Sequence, residues 1–181
     1  MGIFSFDAET NGLWGQAFSI AALVYDESGA EIARFAGRCP IQGEINPWVL
    51  ENVLPQMTGL DETHSSYEEL LRDFAAFYLL YKQKNAVIAH VAVPVESQVL
   101  RDMHSQGFIG DWDGPFPLID IVGMLTMANE DPTSVDSYCQ KYDIHVSAEE
   151  FDGGTHNPLY DSAVAAQVYM HLLQRRDGTV S

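Results

Sequence analysis

Residues 2–25, GIFSFDAETNGLWGQAFSIAALVY, carry the clearest fold signal in the chain. Gly2-Ile3-Phe4-Ser5-Phe6 is a short apolar run that ends at Asp7, and residues 16–25 form a second β-like run. Glu31 to Phe35 reads as a third strand, after the turn Asp26-Glu27-Ser28-Gly29. Short turns between three strands place Asp7 and Glu9 at the end of the first. Two positions apart on an extended chain, their carboxylates can point to one side. An Asp-x-Glu pair by itself reads first as a solvated strand end. It becomes a site for hard divalent cations only if other acidic groups reach it.

Working outward, Asn46-Pro47 caps and opens a short helical segment through Leu54. Ser66-Tyr67-Glu68-Glu69 has capping-box spacing, and Tyr67, Leu70, Leu71, Phe74 and Phe77 recur on one apolar stripe. Ala86 to Ala89 reads as a buried strand leading to His90. Residues 95–104 give a short helix, 107–117 a loop or irregular strand, and Leu118 to Met127 a further helix. Thr133 or Ser134 caps the next helix, with Val135, Tyr138, Cys139 and Tyr142 on one face. Gly153-Gly154 precedes His156, and Leu159 to Leu173 supplies the last helical pattern. Strands followed by alternating helices favour an α/β or α+β domain.

The 181 residues suffice for one domain with a sizeable core, and 46% hydrophobic residues exclude a disordered chain. We expect an ordered domain over residues 1–175 and a flexible tail over 176–181. Cys39 and Cys139 have no His or Cys at metal-ligand spacing. The start lacks a basic segment followed by an apolar run, and no stretch reaches the roughly 18 apolar residues of a membrane span. A cytoplasmic protein that makes no use of a membrane is the expectation. Twenty-six acidic residues against nine basic ones give a formal charge of −17, a field that repels phosphate at long range. Extensive salt-driven binding along a duplex is disfavoured, while clustered carboxylates that hold metal ions would reverse the sign locally.

The stretch FDAETNGLWGQAFSIAALVYD resembles the first motif of DnaQ-like exonucleases. A second match begins at Ala89-His90, and the third, His156-Asn157-Pro158-Leu159-Tyr160-Asp161, has the His, four intervening residues and Asp of the DEDDh subgroup. Pro117-Leu118-Ile119-Asp120 and residues 134–144 resemble two intervening segments, so the likeness runs in order along nearly the whole chain. The resemblance implies an α/β fold of the ribonuclease H-like type, a mixed central sheet flanked by helices. It implies 3'→5' exonuclease activity on DNA or RNA 3' ends, with two divalent ions, Mg²⁺ or Mn²⁺, as cofactors. Carried over by position, Asp7, Glu9 and Asp161 are metal ligands and His156 is the general base.

The fourth family carboxylate is normally Asp after an Asn. Here Val91 stands in place of the Asn, and the nearest acid is Glu96, six positions after His90. Glu96 either reaches the metal through its longer side chain or faces solvent at a helix start, and Asp102 is the alternative ligand. The resemblance also places Gly12 and Leu13 against the terminal nucleotide, with Trp14 stacking on a base or serving as a loop anchor. Phe18 reads as core, and His90 as a structural residue at a strand end.

Two ions about 4 Å apart would activate a water and stabilise the phosphoryl and leaving oxygens. An imidazole with an ordinary pKa of about 6.5 can accept the water proton. The products implied are nucleoside 5'-monophosphates. Basic residues are scattered and form no rail, so a short or single-stranded substrate is expected. Two alternatives follow from the same residues: a binding or scaffold protein with weakened chemistry, motivated by Val91 and Glu96, and a phosphodiesterase of dinucleotides or small nucleotides. Trp48 or the Phe108 to Phe116 loop could serve a protein partner or a homodimer.

Overall fold

The computed structural model describes residues 1–57, 60–151 and 153–180. β1 (Gly2–Thr10), β2 (Ala17–Tyr25) and β3 (Glu31–Arg38) form an antiparallel meander. β4 (Asn85–Ala89) and β5 (Leu118–Asp120) extend it in parallel, giving the order β3-β2-β1-β4-β5 with β1 at the centre. The helices are α1 (Pro47–Asn52), α2 (Tyr67–Tyr81), α3 (Ser97–Ser105), α4 (Ile121–Met127), α5 (Val135–Lys141) and α6 (Pro158–Arg176). Among the described residues no helix is long and apolar enough to cross a membrane.

Side-chain alternation along β1 sorts the two cores and, with them, the site. Phe4, Phe6 and Ala8 join Leu70, Leu71 and Phe74 of α2 and Val99 and Met103 of α3 in one layer. Phe4, Phe6 and Phe74 are fully buried, and each such side chain contributes roughly 1.5–3 kcal/mol. Ile3 turns to the other face, against Ile121 and Leu125 of α4, Tyr138 of α5 and the buried stripe of α6. Ser5 shares that face. Its Oγ donates to the carbonyl of Ser162 at 2.7 Å, and the Ser162 Oγ donates to the Ala21 carbonyl at 3.4 Å. These buried hydroxyls fasten α6 to β1 and β2. Asp7 and Glu9 continue the same odd-numbered series beyond the apolar layer, beside the first turn of α6.

The element boundaries show where tertiary contacts override local pattern. The expected helix over Leu118 to Met127 is divided: Leu118, Ile119 and Asp120 pair with Val87, Ile88 and Ala89 as β5, and the helix begins at Ile121. A short apolar run fits either state, and the open edge of β4 decides it. Asp120 then caps α4 by accepting from the Gly123 N–H at 3.4 Å. The helix expected from residue 95 starts at Ser97, because Ala92–Glu96 forms a π-type turn with Val93 in extended conformation. β3 runs beyond Phe35 to Arg38, and the helical segment after Pro47 ends at Asn52, followed by a 3-10 turn at Leu54–Met57. The caps follow the sequence: Asn46 accepts from the Trp48 N–H, Ser66 from Glu69 and Ser134 from Ser137.

Candidate active site

Three carboxylates meet at the mouth between β1 and α6. One oxygen from each of Asp7, Glu9 and Asp161 lies within 4.8 Å of the others. The first two arrive from one face of β1. Asp161 arrives from the first turn of α6, where Asn157 caps by accepting from the Leu159 N–H at 3.1 Å and Pro158 opens the helix. Asn157 is itself buried and donates to the Phe151 carbonyl at 2.5 Å, which ties the preceding loop to the helix start.

Glu96 is 3% exposed, and its Oε2 has no hydrogen-bond partner. Of the two readings of Glu96, burial excludes the solvent-facing one: the π-type turn carries it inward beside Asp7, whose pKa its charge helps to raise. Asp102 goes elsewhere, accepting from the Tyr67 hydroxyl at 2.7 Å and from the Gln98 amide at 2.5 Å.

His156 closes the group. It sits at φ 67°, a left-handed conformation that His tolerates better than most residues, and its backbone N–H donates to Asp161 Oδ2 at 2.8 Å. Its Nδ1 lies 3.3 Å from Glu9 Oε1. The ring meets the indole of Trp48 edge-on, with centroids 5.9 Å apart and planes at 84°.

The electrostatics follow from gathering like charges in a desolvated place. Desolvation and then Asp161, Glu96 and Glu9 push the Asp7 carboxyl well above its usual range. Desolvation and Glu9 lift Asp161 to about 7, against the hydrogen bond from the His156 N–H. Desolvation lifts Glu96 to about 8, opposed by its own and the Ala8 backbone N–H. Glu9 is raised by desolvation and eased downward by His156, whose own pKa rises chiefly through that hydrogen bond. Such a donor set calls for a cation. It is all oxygen, it is short of counter-charge, and one buried oxygen has no partner, which suits a hard divalent ion.

Two cavities adjoin at this point. One of about 380 Å³ is lined by Asp7, Glu9, Glu96, Asp161, His90 and Asp136 among others. The second, about 450 Å³ and more apolar, is lined by Gly12, Leu13, Asn46, Trp48, Val49 and Val53 among others. Glu9, Leu13, Val95 and His156 border both. Gly12, at φ 86°, and exposed Leu13 thus lie at the site, while Trp14 projects into solvent at 75% exposure. Phe18 is core. His90, half-buried at the end of β4, has its pKa lowered by desolvation, and its Nε2 has no partner.

Sequence reasoning did not single out Trp48 as a neighbour of His156, nor Asp120 and Asp136 as further charges here. Asp120 accepts from the Ala92 N–H at 3.3 Å and contributes to the rise at Glu96, and Asp136 contributes to that at Asp161. Trp48 carried no local signal; the two aspartates stood inside the segments 117–120 and 134–144.

No protein-family model matches the chain, and no curated protein matches it. Solved structures do. Exonuclease X in complex with 5' overhanging duplex DNA superposes with a TM-score of 0.65 at 15% identity, over 97% of this chain and 93% of that one. Exonuclease I of E. coli, in complex with a dT13 oligonucleotide, gives 0.61 at 16% identity, over 98% of this chain and 42% of that one. At these identities the likeness establishes the fold, a ribonuclease H-like mixed sheet with flanking helices of the kind these two exonucleases share.

Proposed function

We propose that the protein is a metal-dependent 3'→5' exonuclease of the DEDDh type, hydrolysing DNA or RNA 3' ends to nucleoside 5'-monophosphates. The observation that carries this reading is the convergence of Asp7, Glu9 and Asp161 within 4.8 Å, with His156 hydrogen-bonded to Glu9. A fold shared with two exonucleases, one in complex with 5' overhanging duplex DNA and one with a dT13 oligonucleotide, points the same way.

Asp7, Glu9, Asp161 and Glu96 would hold the divalent ions. Bound there, the ions supply Lewis-acid polarisation of the phosphate and a lowered pKa for water. The protein's part is positioning and proton transfer. With Nδ1 of His156 engaged by Glu9, Nε2 is the atom that takes the proton from the attacking water. Asp161 holds the His156 backbone in its left-handed conformation through the 2.8 Å bond, which keeps the imidazole over the site. Gly12 and Leu13 contact the terminal nucleotide. Glu96 stands in for the usual Asp, with its longer side chain reaching from the turn before α3.

The test is shortening of a 5'-labelled single strand, DNA and RNA in parallel, with Mg²⁺ or Mn²⁺. Native protein should yield a ladder that EDTA abolishes, and His156→Ala should lose about 10²–10⁴-fold in rate, the span of a positioned general base. Asp7→Ala should be inactive. Binding without shortening at any metal concentration would instead favour a scaffold with lost chemistry.

A further inference from the structure

No Lys or Arg borders the two cavities of the candidate site, where a groove for long nucleic acid would carry cations. All nine Lys and Arg residues lie among the described residues, and eight of them are committed to partners elsewhere. Six form ion pairs: Arg34 with Glu31, Arg72 with Glu68, Lys82 with Asp113, Lys141 and Arg175 with Glu130, and Arg176 with Asp177. Arg38 donates to the Leu60 carbonyl at 2.8 Å, and Arg101 donates to Gln98. Lys84 lies just before β4, at the opposite end of that strand from His90. None of the nine lines either cavity.

What the rim offers instead is surface for bases. Leu13, Trp48 and Val91 line the cavities while 62%, 57% and 44% exposed, and Trp14 stands next to Leu13. The two cavities lie on either side of Glu9 and His156, and each has the volume of a small-ligand pocket. One phosphodiester at the carboxylates with a nucleoside to each side fills that space. Beyond it, a longer strand meets a chain of charge −17 with no free cationic groove.

We infer that the site takes oligonucleotides of two to a few residues, holds them by their bases, and draws no affinity from phosphates away from the carboxylates. This rests on the nuclease reading above and adds to it the length of the substrate and the source of its affinity. Base stacking is indifferent to salt, whereas each phosphate neutralised by Lys or Arg releases counterions and makes binding salt-dependent.

Calorimetric titration of thymidine oligomers, a dinucleotide, a pentamer and a fifteen-mer, into the protein with Ca²⁺ in place of Mn²⁺ measures binding without requiring turnover. Dissociation constants should agree within about 3-fold across lengths and between about 50 and 200 mM KCl, whereas a grip on five phosphates would lose on the order of 100-fold over that range. Trp48→Ala, at an exposed position on the cavity lining, should weaken dinucleotide binding roughly 5- to 100-fold. Lys84→Ala and Arg101→Ala should leave it unchanged. A fifteen-mer bound more than about 10-fold tighter than the dinucleotide, or a steep loss with salt, overturns the inference. So does failure of every oligomer to bind. Salt-independent dinucleotide binding without any cleavage in Mn²⁺ overturns the nuclease reading and leaves this inference standing.

Discussion

At the scale of single residues, Glu96 is the most informative side chain in the site. It is a carboxyl that the fold buries at 3% exposure with one oxygen unpartnered, and desolvation lifts it to about 8. A buried acid of this kind works against the metal-free fold and is stabilised when a cation arrives. Glu96→Gln should therefore raise the melting temperature in EDTA and weaken Mn²⁺ binding by more than about 10-fold, since the neutral amide is a poor ligand for a hard ion. Differential scanning fluorimetry and calorimetry read the two effects, and unchanged Mn²⁺ affinity would remove Glu96 from the ligand set. Asp7, Glu9, Asp161 and His156 were named through the resemblance of two short motifs to the DEDDh exonucleases, and the fold brings these four side chains together. Glu96 could be named only as a candidate, because whether it turns inward depends on the π-type turn at Ala92–Glu96, which leaves no periodic trace. Trp48 was visible only as an aromatic after a helix start. Its contact with His156 joins residues 108 positions apart in the chain, beyond any local pattern.

The elements place these residues through a few fastenings that can be broken one at a time. The link from β1 to β2 is drawn to α1 by Asn11, whose Nδ2 donates to the Glu44 carbonyl and whose Oδ1 accepts from the Asn46 N–H at 2.8 Å. Gly12 adopts φ 86°, and a Cβ there would lie 2.7 Å from Asn46 Nδ2, so the position requires glycine on both counts. Gly12→Ala should cost about 1–2 kcal/mol for the left-handed backbone alone, and more if the Asn46 cap of α1 is displaced. Urea denaturation measures this, and an unchanged midpoint would mean that the turn relaxes freely. The long strands were legible because each buries a continuous or alternating apolar face, and α2 and α6 because their stripes run for several turns. β5 was not. Three residues carry no period, and Leu118 to Asp120 become a strand only because β4 presents an open edge, a fact of assembly rather than of local sequence.

Across the whole molecule, gathering acids at one mouth makes stability depend on pH in an unusual direction. Asp161 at about 7 and Glu96 at about 8 both stand above their ordinary values, and Asp7 and Glu9 are shifted the same way. For such groups the folded chain binds more protons than the unfolded chain between the ordinary carboxylate range and these raised values. Their contribution is thus complete below that range and lost as pH rises through about 7 to 8. Glu130 opposes them at the acid end. Hydrogen bonds from Lys141, Tyr142 and Arg175 lower it to about 2, so its contribution is present above the ordinary glutamate value and lost as pH falls toward 2. Metal-free protein should melt highest in mildly acidic solution, at about pH 5, and progressively lower toward about pH 8. Divalent ions reverse this by binding the deprotonated carboxylates, so added Mn²⁺ should raise the melting temperature more at the upper end of that range than at the lower. Asp7→Asn should flatten the decline in EDTA and reduce the response to Mn²⁺. A metal-free melting temperature that climbs steadily over the same range would show that the four carboxyls do not share a desolvated site.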